Sequence, residues 1–477
     1  MTISELYSLF RKHPVITTDS RNCPPGSLFF ALKGKNFDGN KFAEQALNSG
    51  CAYAIVDDAS VVTNKQMILT ENVLYTLQQL ANIHRKTFKI PVIGITGTNG
   101  KTTTKELTAA VLSQKYKVLC TIGNLNNHIG VPLTLLRLND EHEIAVIEMG
   151  ANHPDEIGEL ASITCPDYGL ITNVGYAHLE GFVSLEGVIK AKGALYDYLR
   201  ETDGTVFIHQ ENDHLTAIAG GIKKITYGVL KWANESTEEG MIEPTDEGES
   251  RQEGLKPDTN QREQAAFIGG RVTFRHPFLS LEWQQNRYAD VLSAFPSKFQ
   301  NNHDAIHTVN TKLVGDYNLW NVLAAITIGA YFVVPSERIN EAIASYEPTN
   351  NRSQLKKTTQ NELIIDAYNA NPSSIQAALE NFAAMPFYPK AVILGDMLEL
   401  GEKSPELHLA VIRQIKTGNY DKVLLCGKNF SEVGQQYSCF PTVEQLIEHL
   451  KAHPLQGYHI LIKGSHGISL EKTIAYL

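Results

Sequence analysis

One stretch limits the folds open to this chain more than any other: Ile93 to Glu106, IGITGTNGKTTTKE. Ile90, Val92, Ile93 and Ile95 are the apolar residues of a buried strand. Gly97, Thr98, Asn99 and Gly100 make a turn of small residues, so backbone N–H groups can face an anion. Lys101 adds a mobile positive charge, and Thr102 and Thr103 open a helix whose N-terminal dipole faces the same point. The Thr102 hydroxyl suits magnesium. The longer spacing GxxxxGK[ST] would need glycine at position 95, where Ile95 stands; the compact GTNGKT form remains.

Strand–helix alternation continues along the chain. PVIGITG, KVLCTI, EIAVIEMGA and YGLITNVG read as short apolar strands with helices after several of them. That order predicts an α/β fold with a mostly parallel sheet covered by helices. Before it, residues 1–88 form a small α/β unit of their own, with SLFFALKG and CAYAIVDD as strands around the helix KFAEQALNSG. After it, GDYNLWNVLAAITIGAYFV reads as a long buried helix, and a third, Rossmann-like block begins near Asn350. Its strands are ELIIDAYN, KAVILGDM, KVLLCG and YHILIKG. The expectation is three domains, 1–88, 89–347 and 348–477, in keeping with the length of 477 residues. Residues 231–264 are acidic and nearly without large apolar side chains, which predicts a solvated surface insertion in the central domain.

Composition narrows the function classes. A formal net charge of −10 argues against a nucleic-acid binder, which needs a basic face. The six cysteines form no CxxC pair, which favours reduced thiols and a cytoplasmic setting. VLAAITIGAYFVV is too short to span a bilayer, and MTISELYSLFRKHPV has no apolar signal core, so neither membrane insertion nor export is expected.

Three more stretches carry candidate chemistry. In EIAVIEMGAN a strand delivers Glu148 at its C-terminal end, where parallel sheets gather ligands; it is either a magnesium carboxylate or an exposed strand-end acid. In ITNVGYAHLEGF, His178 follows another strand, as a ligand or as a packed surface histidine. In VIKAKGALYDYL, Lys190 and Lys192 lie two apart on a helix and cannot share a face; two solvated lysines are the plainer reading.

In the order GTNGKT, EMGAN, TNVGYAHLEGF and KAKG, these stretches resemble the Mur ligase family of ATP-dependent peptide synthetases. GNLNNHIGVPLTLL, GDYNLWNVLAA, NRSQ, IIDAYNANPSS, LGDMLELGE and KGS extend the resemblance over nearly the whole chain. EMGAN, DAYNANPSS and GDMLELG are most similar to the branch that adds D-alanyl-D-alanine to a UDP-N-acetylmuramoyl-tripeptide. The DNPR motif usual in the branch that adds a diamino acid is absent.

The resemblance implies an amide ligase that activates a peptide carboxylate as an acyl phosphate, with ATP and magnesium, as a cytoplasmic monomer in peptidoglycan precursor synthesis. It implies roles residue by residue. Gly97, Thr98, Asn99, Gly100, Lys101, Thr102 and Thr103 hold ATP phosphates, and Thr102 and Glu148 hold magnesium. His178 holds a second magnesium, and so does Lys192 if it is carbamylated. Lys101, Glu148, His178 and Lys192 are the catalytic set. Asn321 contacts adenine, Arg352 reaches the ATP phosphates and Asp366 contacts ribose, so closure of the third domain completes the site. Ser20, Arg21 and Asn127 contact the UDP-sugar substrate. The third domain also receives the incoming dipeptide.

Four positions depart from the family pattern. Asn40 stands where DGH is usual, Val183 where FGS is usual, Ala194 where KGE is usual, and His466 where KGSR is usual. Rival readings are the diamino-acid-adding ligase, a folylpolyglutamate synthetase-like ligase and, in a different class, a P-loop nucleotide switch.

Overall fold

The computed structural model describes residues 1–34, 36–177, 179–230, 266–286 and 305–477. The acidic 231–264 stretch and His178 lie outside the described residues. The chain divides into two compact units. One is Met1–Val206 with Gly221–Lys223, and the other is Phe207–Gly220 with Lys224–Leu477.

The first unit holds two sets of parallel strands. Near the N-terminus the strands run in the order Ile16–Thr17, Leu28–Phe30, Tyr53–Val56 and Met67–Leu69. SLFFALKG, expected as one strand, breaks at Ala31–Leu32. Leu32 N–H turns back onto the Phe30 carbonyl, and the carbonyl of Leu32 accepts from Gly39 N–H. The second set runs Tyr168–Ile171, Val92–Thr96, Ile144–Glu148 and Val118–Cys120. Val92–Thr96 and Ile144–Glu148 are buried at every position, because helices cover both faces of a parallel sheet.

In the second unit the parallel rule ends. Lys223–Val229 pairs parallel with Ile268–Phe274, but Ile268–Phe274, Ser280–Gln285 and Ile306–Asn310 are antiparallel neighbours. A short link joins Phe274 to Ser280, and a link that short can only make a hairpin. Helix Asn318–Tyr331, buried along nearly all its length, packs on this set, as the apolar run GDYNLWNVLAAITIGAYFV predicts.

The C-terminal sheet runs Gln354–Lys357, Glu362–Asp366, His459–Lys463, Lys390–Gly395, Lys422–Cys426 and Ser438–Phe440. Only the first pair is antiparallel. Successive residues serve opposite faces: Ile364 packs in one core with Val392 and Leu394, while Leu363 and Ile365 pack in another with Ile393 and Ile462. This is a doubly wound α/β sheet, with strand His459–Lys463 inserted between Glu362–Asp366 and Lys390–Gly395. Asp366 is thereby paired in register with Lys463, at the carboxyl edge where such sheets take ligands.

None of the six cysteines is in a disulfide. Among the described residues no helix is long and apolar enough to cross a membrane.

Candidate active site

Strand Val92–Thr96 ends at Gly97, and helix Lys101–Leu112 begins after Gly100. Both glycines are required. Gly97 has φ +142°, and a Cβ there would meet Thr172 Oγ1 at 2.0 Å; Gly100 has φ +78°. The loop between them is pinned by the segment that follows strand Tyr168–Ile171. Thr98 N–H donates to the Asn173 carbonyl, and Asn99 N–H to Asn173 Oδ1 at 3.0 Å. Thr172 Oγ1 and Asn173 Nδ2 both donate to the Asn99 carbonyl, at 2.6 and 3.0 Å. No side chain caps the helix, so its positive end faces outward over the loop. Lys101 Nζ folds back and donates to the carbonyls of Gly97 and Thr98, at 2.7 and 3.0 Å. The result is an anion cradle with a cation tethered at its rim.

Glu148 lies beside it and is only 1% exposed. Its Oε1 accepts from Thr102 Oγ1 at 3.1 Å and from Asn126 Nδ2 at 2.8 Å. Its backbone N–H donates to Thr121 Oγ1. Oε2 is buried and has no hydrogen-bond partner among the described residues. A buried carboxylate oxygen left unsatisfied is costly, and a hard cation removes that cost. Thr102 and Glu148 supply a hydroxyl and a carboxylate to such an ion. That is the usual small protein share of a magnesium site completed by phosphate oxygens and water. Among the described residues no group of three or more His, Cys, Asp or Glu gathers.

Lys192 sits on helix Leu185–Glu201 and is 1% exposed, whereas Lys190 is exposed. Its Nζ donates to the Ala151 carbonyl at 3.2 Å and lies 5.2 Å from the Phe182 ring centre. Burial pushes this ammonium well below the ordinary lysine range; the charge of Lys101 pushes the same way and Glu156 opposes them. Burial and the Lys101 charge both favour the neutral amine over the ammonium at this position.

The substrate-side candidates look different. Arg21 pairs with its near neighbour: Nε and Nη2 each donate to Asp19 at 2.9 Å, on a side chain 84% exposed. That ion pair holds Asp19 down at about 2. The carbonyl of Ser20 accepts from Cys23 Sγ. Asn40, at the position where the family pattern has histidine, is 2% exposed and braces the segment. Its Nδ2 donates to Asp38 and Asp57, and its Oδ1 accepts from Asp57 N–H. Asn127 is exposed, and its Oδ1 accepts from Ile129 and Gly130 N–H, bracing the turn that leads into helix Gly130–Leu135.

In the second unit, Asn321 Nδ2 donates to Asn318 Oδ1 at 2.9 Å, and Asn318 reaches Ser353 Oγ at 3.4 Å. Asp366 Oδ2 accepts from the buried Lys463 Nζ at 2.6 Å. The Arg352 guanidinium centre lies 3.9 Å over the Tyr368 ring. The chain bends sharply about Arg352, with φ +57° at Asn351 and +49° at Ser353.

Sequence reasoning passed over several of these contacts. Asn126, beside the substrate-side candidate Asn127, meets Glu148, and nothing local in the sequence singles it out for that contact. Asn173, within ITNVGYAHLEGF, pins the phosphate loop, a tertiary contact that no local pattern signals. For Lys192 a signal existed. Val188, Leu195, Tyr196 and Leu199 lie four before and three, four and seven after it, and all are buried, so Lys192 falls on the apolar stripe.

Three family profiles match the chain. "Mur ligase family, catalytic domain" covers residues 14–92, "Mur ligase middle domain" 95–329, and "Mur ligase, glutamate ligase domain" 351–466. The UDP-N-acetylmuramoyl-tripeptide–D-alanyl-D-alanine ligase of Escherichia coli K12 is 33% identical over 470 residues, covering 97% of this chain and 93% of that protein. The enzyme of the same name from Bacillus subtilis 168 is 33% identical over 476 residues, with coverages of 96% and 92%. Among solved structures, crystal structure I of MurF from Acinetobacter baumannii is similar with a TM-score of 0.78 at 26% identity, covering 96% of this chain and 92% of that one.

Proposed function

We propose, for a chain that belongs to the Mur ligase family, that it joins D-alanyl-D-alanine to a UDP-N-acetylmuramoyl-tripeptide at the expense of ATP. One observation carries this choice within the family. The likeness to D-alanyl-D-alanine-adding relatives runs over 97% of the chain, so it includes the substrate-handling ends as well as the ATP-binding middle.

The chemistry follows from the substrates. A peptide carboxylate is a poor electrophile with a poor leaving group. Its oxygen attacks the γ-phosphorus of ATP, the bond to the β-phosphate oxygen breaks, and ADP leaves. The free amine of D-alanyl-D-alanine then attacks the acyl carbon of the acyl phosphate. The tetrahedral adduct loses a proton and expels inorganic phosphate, leaving the amide. Two anions must approach in the first step, so the site's work is electrostatic clamping.

In this reading, residues 89–347 bind ATP and residues 1–88 hold the UDP end, with Ser20 and Arg21 among the contacts and Asn127 on the substrate side. Residues 348–477 complete the nucleotide site and receive the dipeptide. The helix start at Gly100–Thr103 holds phosphate oxygens, and Lys101 moves its ammonium from the carbonyls of Gly97 and Thr98 onto the phosphate. Thr102 and Glu148 would hold magnesium, which would supply positive charge to the reacting phosphate; His178 is the residue proposed to hold a second ion. Asn126 fixes Oε1 of Glu148 so that Oε2 stays available. Asn321 reads adenine, Asp366 takes a ribose hydroxyl through the oxygen not held by Lys463, and Arg352 binds an ATP phosphate.

Lys192 is carbamylated in the working enzyme. Its neutral amine adds to carbon dioxide, a C–N bond forms and one proton is released, and a buried would-be cation becomes an anionic oxygen ligand suited to a hard metal. The enzyme works as a cytoplasmic monomer.

The test is direct. Purified protein with ATP, magnesium, UDP-N-acetylmuramoyl-tripeptide and D-alanyl-D-alanine releases phosphate and yields a product heavier by one dipeptide less water, read by mass spectrometry. Turnover only with the UDP-muramoyl-dipeptide and a diamino acid overturns the assignment. Slow ATP hydrolysis indifferent to any amine would point to a nucleotide switch instead.

A further inference from the structure

We infer that Tyr368 is a positioning residue whose ring holds the Arg352 guanidinium flat, with its N–H edge aimed at an ATP phosphate. This rests on the reading of Arg352 as a phosphate contact and goes beyond it by naming what orients that arginine.

Three observations and the geometry of guanidinium stacking support it. The guanidinium centre is 3.9 Å over the Tyr368 ring, well inside cation–π range. Stacking uses the face of the guanidinium and leaves its in-plane N–H fork for an oxyanion, which needs that fork in a fixed direction. Arg352 Nε is buried and has no hydrogen-bond partner among the described residues, so this donor is not consumed by the fold. Left-handed backbone at Asn351 and Ser353, on either side of Arg352, stores strain that persists only where surroundings over-determine it.

The platform itself is braced. Lys463 Nζ holds Asp366 Oδ2 at 2.6 Å and the Asn369 carbonyl at 3.2 Å, before and after Tyr368. Ser465 Oγ donates to the Ala370 carbonyl at 3.4 Å. The His466 ring lies nearly parallel to Tyr368, with centres 5.6 Å apart and planes 18° apart. The KGSH segment therefore fixes the tyrosine loop, and the loop fixes the arginine. His466 gains a purpose here: a flat ring at this point stacks on the tyrosine.

A stacking platform and a general structural role differ in a double-mutant cycle on ATP kinetics. Tyr368→Ala lowers kcat/KM for ATP about 10-fold, while Tyr368→Phe, which keeps the ring, stays within about threefold of the parent. In an Arg352→Ala background, Tyr368→Ala costs less than about twofold more, because the group it orients is gone. Tyr368→Leu keeps bulk without a π face, matches the alanine variant and covers the case in which alanine impairs folding. Circular dichroism and thermal melts check folding throughout. Multiplicative losses in the double variant, or a leucine variant as active as the parent, overturn the platform. Arg352→Ala with unchanged ATP kinetics overturns the arginine's own role, and the inference falls with it, by a result that the cycle keeps separate.

Discussion

Lys101–Thr102 and Ser20–Arg21 each set a cation beside a hydroxyl, and the fold treats the two pairs in opposite ways. Around Lys101 the loop is held in place before any ligand arrives. Two glycines accept backbone angles that other residues resist, Asn173 pins the loop, and Thr102 is tied to a carboxylate that is 1% exposed. Around Arg21 the side chain is 84% exposed and chelates the adjacent Asp19. Phosphate chemistry needs donors held still in a dry place, because reorganisation at the moment of reaction is costly. A binding loop for the far end of a large substrate needs only to be reachable. The difference predicts where substitutions act: on turnover and stability in the cradle, on substrate KM alone in the loop.

The largest effect belongs to Lys192. Lys192→Ala lowers phosphate release by about 10³-fold or more, the scale of losing a principal electrostatic group. If Lys192 works as a carbamate, formate or acetate restores part of the rate, because a small carboxylate would take the place of the carbamate oxygens. Methylamine does not. Rescue by the amine and not by the acid would show that the unmodified ammonium is the working group. Full activity without rescue would remove Lys192 from the site.

Glu148→Gln separates function from stability within the cradle. The glutamine keeps an acceptor for Thr102 and Asn126 and removes a buried charge whose second oxygen has no partner. Without ligands the variant melts higher, by about 1–2 kcal/mol of stability. With ATP and magnesium the parent gains stability and the variant gains little, since it lacks the charge that holds the ion. A variant that melts lower than the parent without ligands would mean that Glu148 is structurally satisfied as it stands.

How much of this was legible in the sequence depends on the range of the interaction. The strand–loop–helix at Ile93–Glu106 was legible because each residue acts locally: strand, turn, cation, helix. So was the parallel order of its sheet, and so was the buried helix at Asn318–Tyr331. The antiparallel set beyond Ile268 was not: Ile268–Phe274 and Ser280–Gln285 form a hairpin, but Ile306–Asn310 joins it from some twenty residues on, and no local period announces that pairing. The Lys192 environment was half legible, from the apolar stripe but not from charge. Tyr368 meets His466 only because the strand ending at Lys463 is inserted beside the one ending at Asp366, and that is a property of strand order. His178 and the 231–264 stretch lie outside the described residues and leave those readings as they were.

A smaller effect tests whether the cradle holds strain as well as charge. Val183 has φ +67° on an exposed side chain, directly after Phe182, whose ring lies beside Lys192. A β-branched residue in left-handed backbone costs about 1–2 kcal/mol, and glycine returns part of it to unfolded-chain entropy. Val183→Gly therefore raises stability by up to about 1 kcal/mol, read as a higher denaturant midpoint at constant slope. A fall in the midpoint would mean that the valine side chain is packed in solution.

The smallest effect on the fold belongs to Arg21, and it is the one that can break the comparison. An exposed ion pair between residues two apart contributes little to stability, so Arg21→Ala leaves the melting midpoint within error of the parent. Asp19, released from Arg21, then rises from about 2 towards the ordinary carboxylate range. If the loop serves the UDP end of the substrate, Arg21→Ala raises KM for the UDP-sugar peptide about 10-fold and leaves kcat and KM for ATP unchanged, the signature of lost uniform binding. Raising salt reproduces part of that change in the parent, because a solvent-exposed cation facing a diphosphate is screened. A parallel loss in kcat would place Arg21 among the groups that act in the transition state, and the division between a rigid cradle and a merely reachable loop would fail at its most exposed residue.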